Sequence, residues 1–347
     1  MTGTVKSMAA EPTVGIIIAV YNSASYIREC IDSLICQTYD NIILLFIDDG
    51  SEDHSRDIIR GYMENDSRIR LYEIAHSGLS AVRNYGLERA FENGCEYVAF
   101  VDSDDWVEND LIEKQLSCAL SHDADITECG SIYEYGTKAV KKPLSEKILK
   151  DKEIIEGLVY SGISNPLFNK FIRIGCFEGI TFPVGMAFED IAVMHEVYFR
   201  SRIYVSNPFH LYHYRIRENS LSHTLTFDML YDRWAAYTRR YDFLESKGFF
   251  EDNRELHDEM LKRVAIPIAR AWRWAYGDPK EIRRQHKEKR QEMTDFTRAH
   301  YPVFGKKGWD LFLRVGIFLS RFNNTFSIMV AYRLQQLVNL FKRNKTP

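Results

Sequence analysis

The residues with the most chemistry in this 347-residue chain are carboxylates, and they stand in short bursts beside apolar runs. Asp48, Asp49 and Asp53 follow the run 42–47, and Asp102, Asp104 and Asp105 follow 97–101. Glu189 and Asp190 precede an amphipathic stretch over 191–200. Alternate residues of extended backbone share a face, so Asp102 and Asp104 project to the same side. One such carboxylate can accept from ribose hydroxyls while the other holds a divalent ion. Mg²⁺ and Mn²⁺ favour hard oxygen ligands, often one or two carboxylates plus the substrate's own phosphates. The plainer alternative is that these aspartates cap a helix starting near Trp106.

Acids so far apart in sequence act together only if the fold gathers them. Residues 14–20 (VGIIIAV) are almost all apolar and β-branched, the pattern of a strand covered on both faces. A helix is expected over 25–37, a second buried strand over 42–47, and a helix to about 63 that Asp53 is placed to cap. A short strand near 70–74, a helix over 80–93 and a third buried strand over 97–101 follow. Strands alternating with helices imply an α/β fold, a parallel sheet flanked on both sides, with the carboxylates along one sheet edge. Further on, a helix is expected over 106–120, extended chain over 126–135, a charged loop over 138–152, and helical patterning over 153–200. Beyond 228 the pattern is helical, broken at Gly248, 277–279 and 301–308.

Four segments in combination resemble glycosyltransferase family 2: Ala19-Val20-Tyr21-Asn22, the D-D-G-S-x-D run from Asp48 to Asp53, Gly78-x-Ser80-x-x-Arg83-Asn84, and Asp102-Ser103-Asp104-Asp105. Asn169-Lys170, Phe188-Glu189-Asp190 and the segment 214–223 stand where the family's later elements fall. The resemblance covers residues 13–225. It implies a GT-A fold, a Rossmann-like, mostly parallel sheet flanked by helices, with residues 226–347 as a helical C-terminal region. It also implies inverting transfer from a nucleotide-diphosphate sugar. On that basis Ala19, Tyr21, Asn22, Asp49, Ser80, Arg83, Asp102, Ser103, Arg217 and Ser222 are expected at the donor. Asp104 with His223 would hold Mn²⁺ or Mg²⁺, Asp190 would act as catalytic base, and Glu189 would position it.

The carried-over roles make physical sense. A carboxylate at Asp49 could accept the ring N–H of uracil, which favours UDP; guanine also presents a donor edge, so GDP stays open. Tyr21 would pack on base or ribose. Arg215, Arg217, Ser220 and Ser222 could bond diphosphate oxygens. Core packing for Tyr21, a surface position for Arg83, and acids placed at 189–190 by the helix dipole are the plain alternatives. His210 and His213 read as packing or backbone-binding residues. Val82 and Phe168 depart from the family's usual residues without removing a catalytic group. The expected activity is transfer of a hexose or N-acetylhexosamine from a UDP-sugar to a hydroxyl of a glycan or lipid-linked oligosaccharide, in cell-surface polysaccharide synthesis. The competing classes are a sugar nucleotidyltransferase, which should carry a Gly-rich basic loop where Val20-Tyr21-Asn22-Ser23 stands, and a degenerate glycan- or partner-binding module.

Charge is uneven along the chain. Residues 1–253 hold 25 Lys and Arg against 40 Asp and Glu, a balance of −15, whereas 254–347 hold 20 against 9, or +11. An apolar stripe from Phe326 through Met329, Val330, Leu334, Leu337 and Val338 to Phe341 lies in that basic tail. It predicts either a homo-oligomer or self-docking contact, or peripheral attachment at the inner face of the plasma membrane; no nucleic-acid partner is expected. No apolar run reaches the ~20 residues of a spanning helix. Six scattered cysteines without C-x-x-C spacing, and a start without a basic and apolar leader, point to a reduced, cytoplasmic setting.

Overall fold

The computed structural model describes residues 11–217, 226–273, 284, 286–304, 311–322 and 330. It divides the chain into two compact units. The first comprises residues 1–158, 163–185 and 193–220; the second comprises 159–162, 186–192 and 221–347.

In the first unit β1 (Val14–Val20), β2 (Ile42–Asp48), β3 (Ile69–Glu73) and β4 (Tyr97–Asp102) alternate with α1 (Ile27–Ile35), α2 (Ser55–Met63) and α3 (Leu79–Glu92). The four strands are parallel in the order β3-β2-β1-β4. Ile16, Ile18, Leu44, Phe46 and Val98 are buried because helices cover both faces, which is why these strands are continuously apolar. Register then does the gathering: Val20 lies opposite Asp48 on one side, and Ala19 opposite Asp102 on the other. Chain order reverses across β1, so this edge is the switch point where open α/β sheets bind ligands.

The expected fold is the one observed, with a mixed second half. After β5 (Trp106–Val107) and α4 (Leu111–His122) come β6 (Ile126–Tyr135), β7 (Lys138–Lys141), β8 (Lys147–Lys150), α5 (Lys152–Val159), β9 (Lys170–Arg173), α6 (Glu189–Arg200) and β10 (Ile203–Arg215). They complete a ten-stranded sheet whose main path runs β3-β2-β1-β4-β9-β6-β10-β5. β9 is antiparallel to both β4 and β6, while β10 is parallel to β6.

Three local expectations change. Trp106 and Val107 do not open a helix; they pair with His213 and Tyr212 of β10, and the helix starts at Leu111. That removes the helix-capping explanation of Asp102 and Asp104. The charged stretch 138–152 is not a loop. Gly136, at φ +66°, allows the tight turn that folds β7 back on β6, and β8 adds to the edge of β10. Residues 170–173 are a strand rather than part of a helix.

Helix α3 approaches β1 through Gly86. A Cβ there would lie 2.4 Å from Cγ2 of Ile17, inside van der Waals contact. This closeness seats the helix whose first turns carry Ser80 and Arg83.

The second unit contains α7 (Phe227–Ser246), α8 (Arg254–Arg273), α9 (Lys287–Phe304) and α10 (Leu311–Ser320). Thr226 caps α7 by accepting from the Met229 N–H. Residues 186–192, with Glu189 and Asp190, group with these helices. Among the described residues no helix is long and apolar enough to cross a membrane. Ser220, Ser222, His223 and most of the 326–341 stripe lie outside the described residues.

Gly86→Ala should destabilise the protein by about 1–3 kcal/mol in chemical denaturation, because a β-branched Ile17 in a buried strand yields little. The ~1 kcal/mol helix-propensity gain of alanine offsets part of this. A variant as stable as the parent would show that α3 can shift freely on β1.

Candidate active site

The acids at the end of β4 are held by β10. Tyr212, fully buried, donates its phenolic O–H to Asp105 Oδ2 (2.8 Å) and accepts from the Asp102 N–H (3.1 Å). The Arg215 N–H donates to the other Asp105 oxygen at 2.8 Å, and Arg215 Nε to the Asp104 carbonyl at 2.7 Å. Asp105 therefore points inward as an anchor. Burial, together with the charges of Asp102 and Asp104, pushes its carboxyl up to about 8. Asp104 points to the rim, where Oδ2 lies 2.6 Å from Nη2 of Arg217. Ser103 is buried and bonds Ser23 Oγ at 2.7 Å, so its hydroxyl braces the loop after β1.

On the β2 side, Asp49 is buried and its two oxygens accept from the backbone N–H groups of Ser77 (2.7 Å) and Gly78 (2.9 Å). His76 Nδ1 lies 2.9 Å from the same carboxylate, and its ring stacks on Tyr21 with centroids 4.4 Å apart. Asp49 thus fixes the turn into α3 and keeps lone pairs for one further donor. Tyr21 is half exposed rather than core. Asn22, in the left-handed region at φ +48°, receives the Glu52 N–H on its side chain and gives its own N–H to Ser51 Oγ. It ties two loops together. Asp53 stands one residue before the N-cap position of α2, His54, and its carboxylate accepts the N–H of Ser55, the helix's first residue, together with the Ala24 N–H.

Arg83 is buried rather than on the helix surface, with its guanidinium 5.8 Å from the Phe182 ring centroid, and Ser80 is buried too. Asn84 makes a two-way bond with the backbone of Phe182. Asn169 and Lys170 are interior. Lys170 Nζ lies 3.3 Å from Glu128 and donates to Ser164 Oγ, the Pro166 carbonyl and Asn169 Oδ1. Tyr204 donates to the same Glu128. These residues staple β6, β9 and β10. His210 bonds the Lys142 carbonyl as expected, whereas His213 sits between Glu134 and Glu108 and stacks on Trp106.

In the second unit Glu189 and Asp190 form the first turn of α6 and are half-buried. The residue before them, Phe188, has φ +62°, a strained conformation for an aromatic side chain. Such strain costs about 1–3 kcal/mol and persists only where neighbours impose it. Here the Ala187 N–H bonds Asp232, and Arg233 lies over the Phe188 ring.

A rim carboxylate is a hard oxygen donor of the kind divalent ions take. Asp104 offers one rim carboxylate, already balanced by a guanidinium that stands where a cation would be welcome. Among the described residues no cluster of three or more His, Cys, Asp or Glu forms a cage of its own. Sequence reading missed Tyr212, His76, Tyr26 and Trp106. Their only signal was an aromatic or imidazole beside a motif, and core packing produces the same signal. The Arg215 guanidinium lies 4.6 Å from the Trp106 centroid and 5.3 Å from that of Tyr26.

The family profile described as Glycosyl transferase family 2 matches residues 15–187. Glycosyltransferase GlyA of Streptococcus pneumoniae is 33% identical over 270 residues, which span 74% of this chain and 38% of that protein. Putative glycosyltransferase EpsH of Bacillus subtilis is 31% identical over 274 residues, 76% of this chain and 78% of that one. Residues 1–349 of S. aureus TarS, solved in complex with UDP-GlcNAc, share the fold with TM-score 0.68 at 17% identity, covering 94% of this chain and 92% of that one.

The raised Asp105 carboxyl predicts a pH dependence. The folded state holds this proton more tightly than the unfolded chain, so its stabilising contribution is complete below the ordinary value of 3.8 and is lost as pH rises through about 8. Thermal midpoints measured across that interval should fall less steeply for Asp105→Asn than for the parent. Parallel profiles would show that Asp105 ionises in the native state as easily as in the unfolded one.

Proposed function

Because the chain belongs to glycosyl transferase family 2, we propose that it moves a hexose or N-acetylhexosamine from a UDP-sugar, with inversion, to a hydroxyl of a glycan or lipid-linked oligosaccharide in cell-surface polysaccharide synthesis. The observation that carries this reading is the assembly of Tyr21, Asp49, Asp102 and Asp104 around the C-terminal end of β1. TarS, solved with UDP-GlcNAc, supports a uridine nucleotide.

The base stacks on Tyr21, and its ring N–H goes to the remaining lone pairs of Asp49. Asp102 accepts from the ribose hydroxyls. Arg83 and Arg217 bind the diphosphate, joined by Ser222. Asp104, with His223, would hold Mn²⁺ or Mg²⁺, which when bound neutralises charge on the departing diphosphate. Asp190 takes the proton from the acceptor hydroxyl as its oxygen attacks the anomeric carbon and the bond from that carbon to the diphosphate oxygen breaks. Glu189 orients Asp190 or the acceptor. A single displacement of this kind turns an α-linked donor into a β-linked product.

Asp190→Asn should bind UDP with nearly parental affinity in calorimetry yet turn over ~10²-fold more slowly, the scale of losing a positioned general base. Near-parental transfer would place the base elsewhere. Product NMR showing a retained anomeric configuration would sink the single displacement.

A further inference from the structure

The contact between Asp104 and Arg217 joins two groups that the proposed reaction needs for different partners. Asp104 is the acid suited to the ion, and Arg217 is a cation suited to the diphosphate. In this structure they satisfy each other at 2.6 Å. The Arg217 side chain is 43% exposed against 19% for Asp104, so the pair sits at the rim, within reach of solvent. Arg217 also lines a cavity of about 560 Å³ with Tyr26, Trp106, Glu134 and Arg215, and its guanidinium lies 5.4 Å from the Tyr26 ring centroid. That cavity gives the Arg217 side chain room to move. Its neighbour Arg215 differs: it is fixed by Asp104's carbonyl, by Glu29 and by the rings of Tyr26 and Trp106. Among the described residues, Arg217 is held to Asp104 by one ion pair at the rim, and a pair open to solvent is weak enough to exchange.

We infer that Arg217 is an exchangeable counter-ion: it neutralises Asp104 until the nucleotide arrives, then leaves that carboxylate to the ion and bonds the diphosphate itself. The inference rests on the proposed roles of Asp104 and the diphosphate. It adds an order to them. Divalent ion alone competes with Arg217 for Asp104, whereas ion and diphosphate together satisfy both partners of the broken pair. Opposite charges thus remain matched before and after loading, and Asp104 is never left as an uncompensated anion beside Asp102.

The test uses the full chain and two probes. Mn²⁺ without nucleotide, followed by the EPR signal of the free ion, should bind Arg217→Ala about twofold to fivefold more tightly than the parent, the scale of an exposed ion pair. UDP in the presence of a chelator, followed by calorimetry, should bind the same variant about tenfold more weakly, as expected for a lost charge-assisted contact. Arg217→Lys, which keeps the charge, should stay near the parent in the Mn²⁺ assay. In an Asp104→Asn background, removing Arg217 should no longer tighten Mn²⁺ binding. The crossed signs matter because a residue that merely holds the loop in shape would weaken both ligands. If Arg217→Ala leaves Mn²⁺ binding unchanged or weaker while Asp104→Asn still lowers it, the exchange is wrong and the role of Asp104 stands. If Asp104→Asn has no effect on Mn²⁺ binding, the reading beneath the inference fails.

Discussion

Three aspartates within four residues repel one another, and the way this chain accommodates them governs the rest of its first unit. At a few ångströms, like charges raise each other's proton affinity, and burial adds to the effect. Asp105 is turned inward, where a phenol and a backbone N–H hold it and its carboxyl is pushed up to about 8. Asp104 stays at the rim against Arg217. Both solutions come from β10: Tyr212 and Arg215 lie in it, and Arg217 follows two residues beyond its end. The strand must therefore be long and must reach the end of β4. That explains why β5, only two residues long, bridges the loop after the acids to Tyr212 and His213.

Magnitudes separate the rigid part of this arrangement from the exchangeable part. Lys170 and Glu128 are buried together with six further hydrogen bonds around them. Removing one partner of such a pair costs about 3–5 kcal/mol, because an uncompensated charge is left in the interior. A rim pair such as Arg217 with Asp104, open to solvent on the arginine side, lies much nearer the ~0.2–1 kcal/mol of exposed pairs. The sheet interior is thus pinned while its rim can trade partners. Phe168 connects the two regions, since it stands beside Asn169 and its ring packs against Tyr212 and Tyr214.

Much of the parallel half was legible in residues 14–102. Continuous β-branched runs that end in Asp or Asn are hard to place anywhere but in a covered parallel sheet, and β1, β2 and β4 lie where those runs are. The mixed half was less legible because its strands are local compromises. Lys138–Lys141 and Lys147–Lys150 are edge strands, where charge guards against further pairing and so hides the strand signal. Trp106–Val107 is too short to show any period. For Arg83 a surface position was the lesser alternative, and it is the packing of α3 on β1 at Gly86 that goes with its burial.

What the sequence determined by itself is which residue types stand at the ends of which strands, because the alternation of apolar runs with acidic turns is local and encodes a parallel sheet with one acidic edge. Tertiary structure alone decided how the neighbouring acids divide the work. Asp102, Asp104 and Asp105 are chemically identical in one dimension. Their differences arise from a strand more than 100 residues away, which buries one of them against Tyr212 and brings Arg217 to another. Asp49 likewise reads as a ligand-facing acid, yet the loop at 76–78 folds back to give it two backbone donors. Such long-range partners set a carboxylate's charge, exposure and free lone pairs, and no spacing within its own motif carries that information.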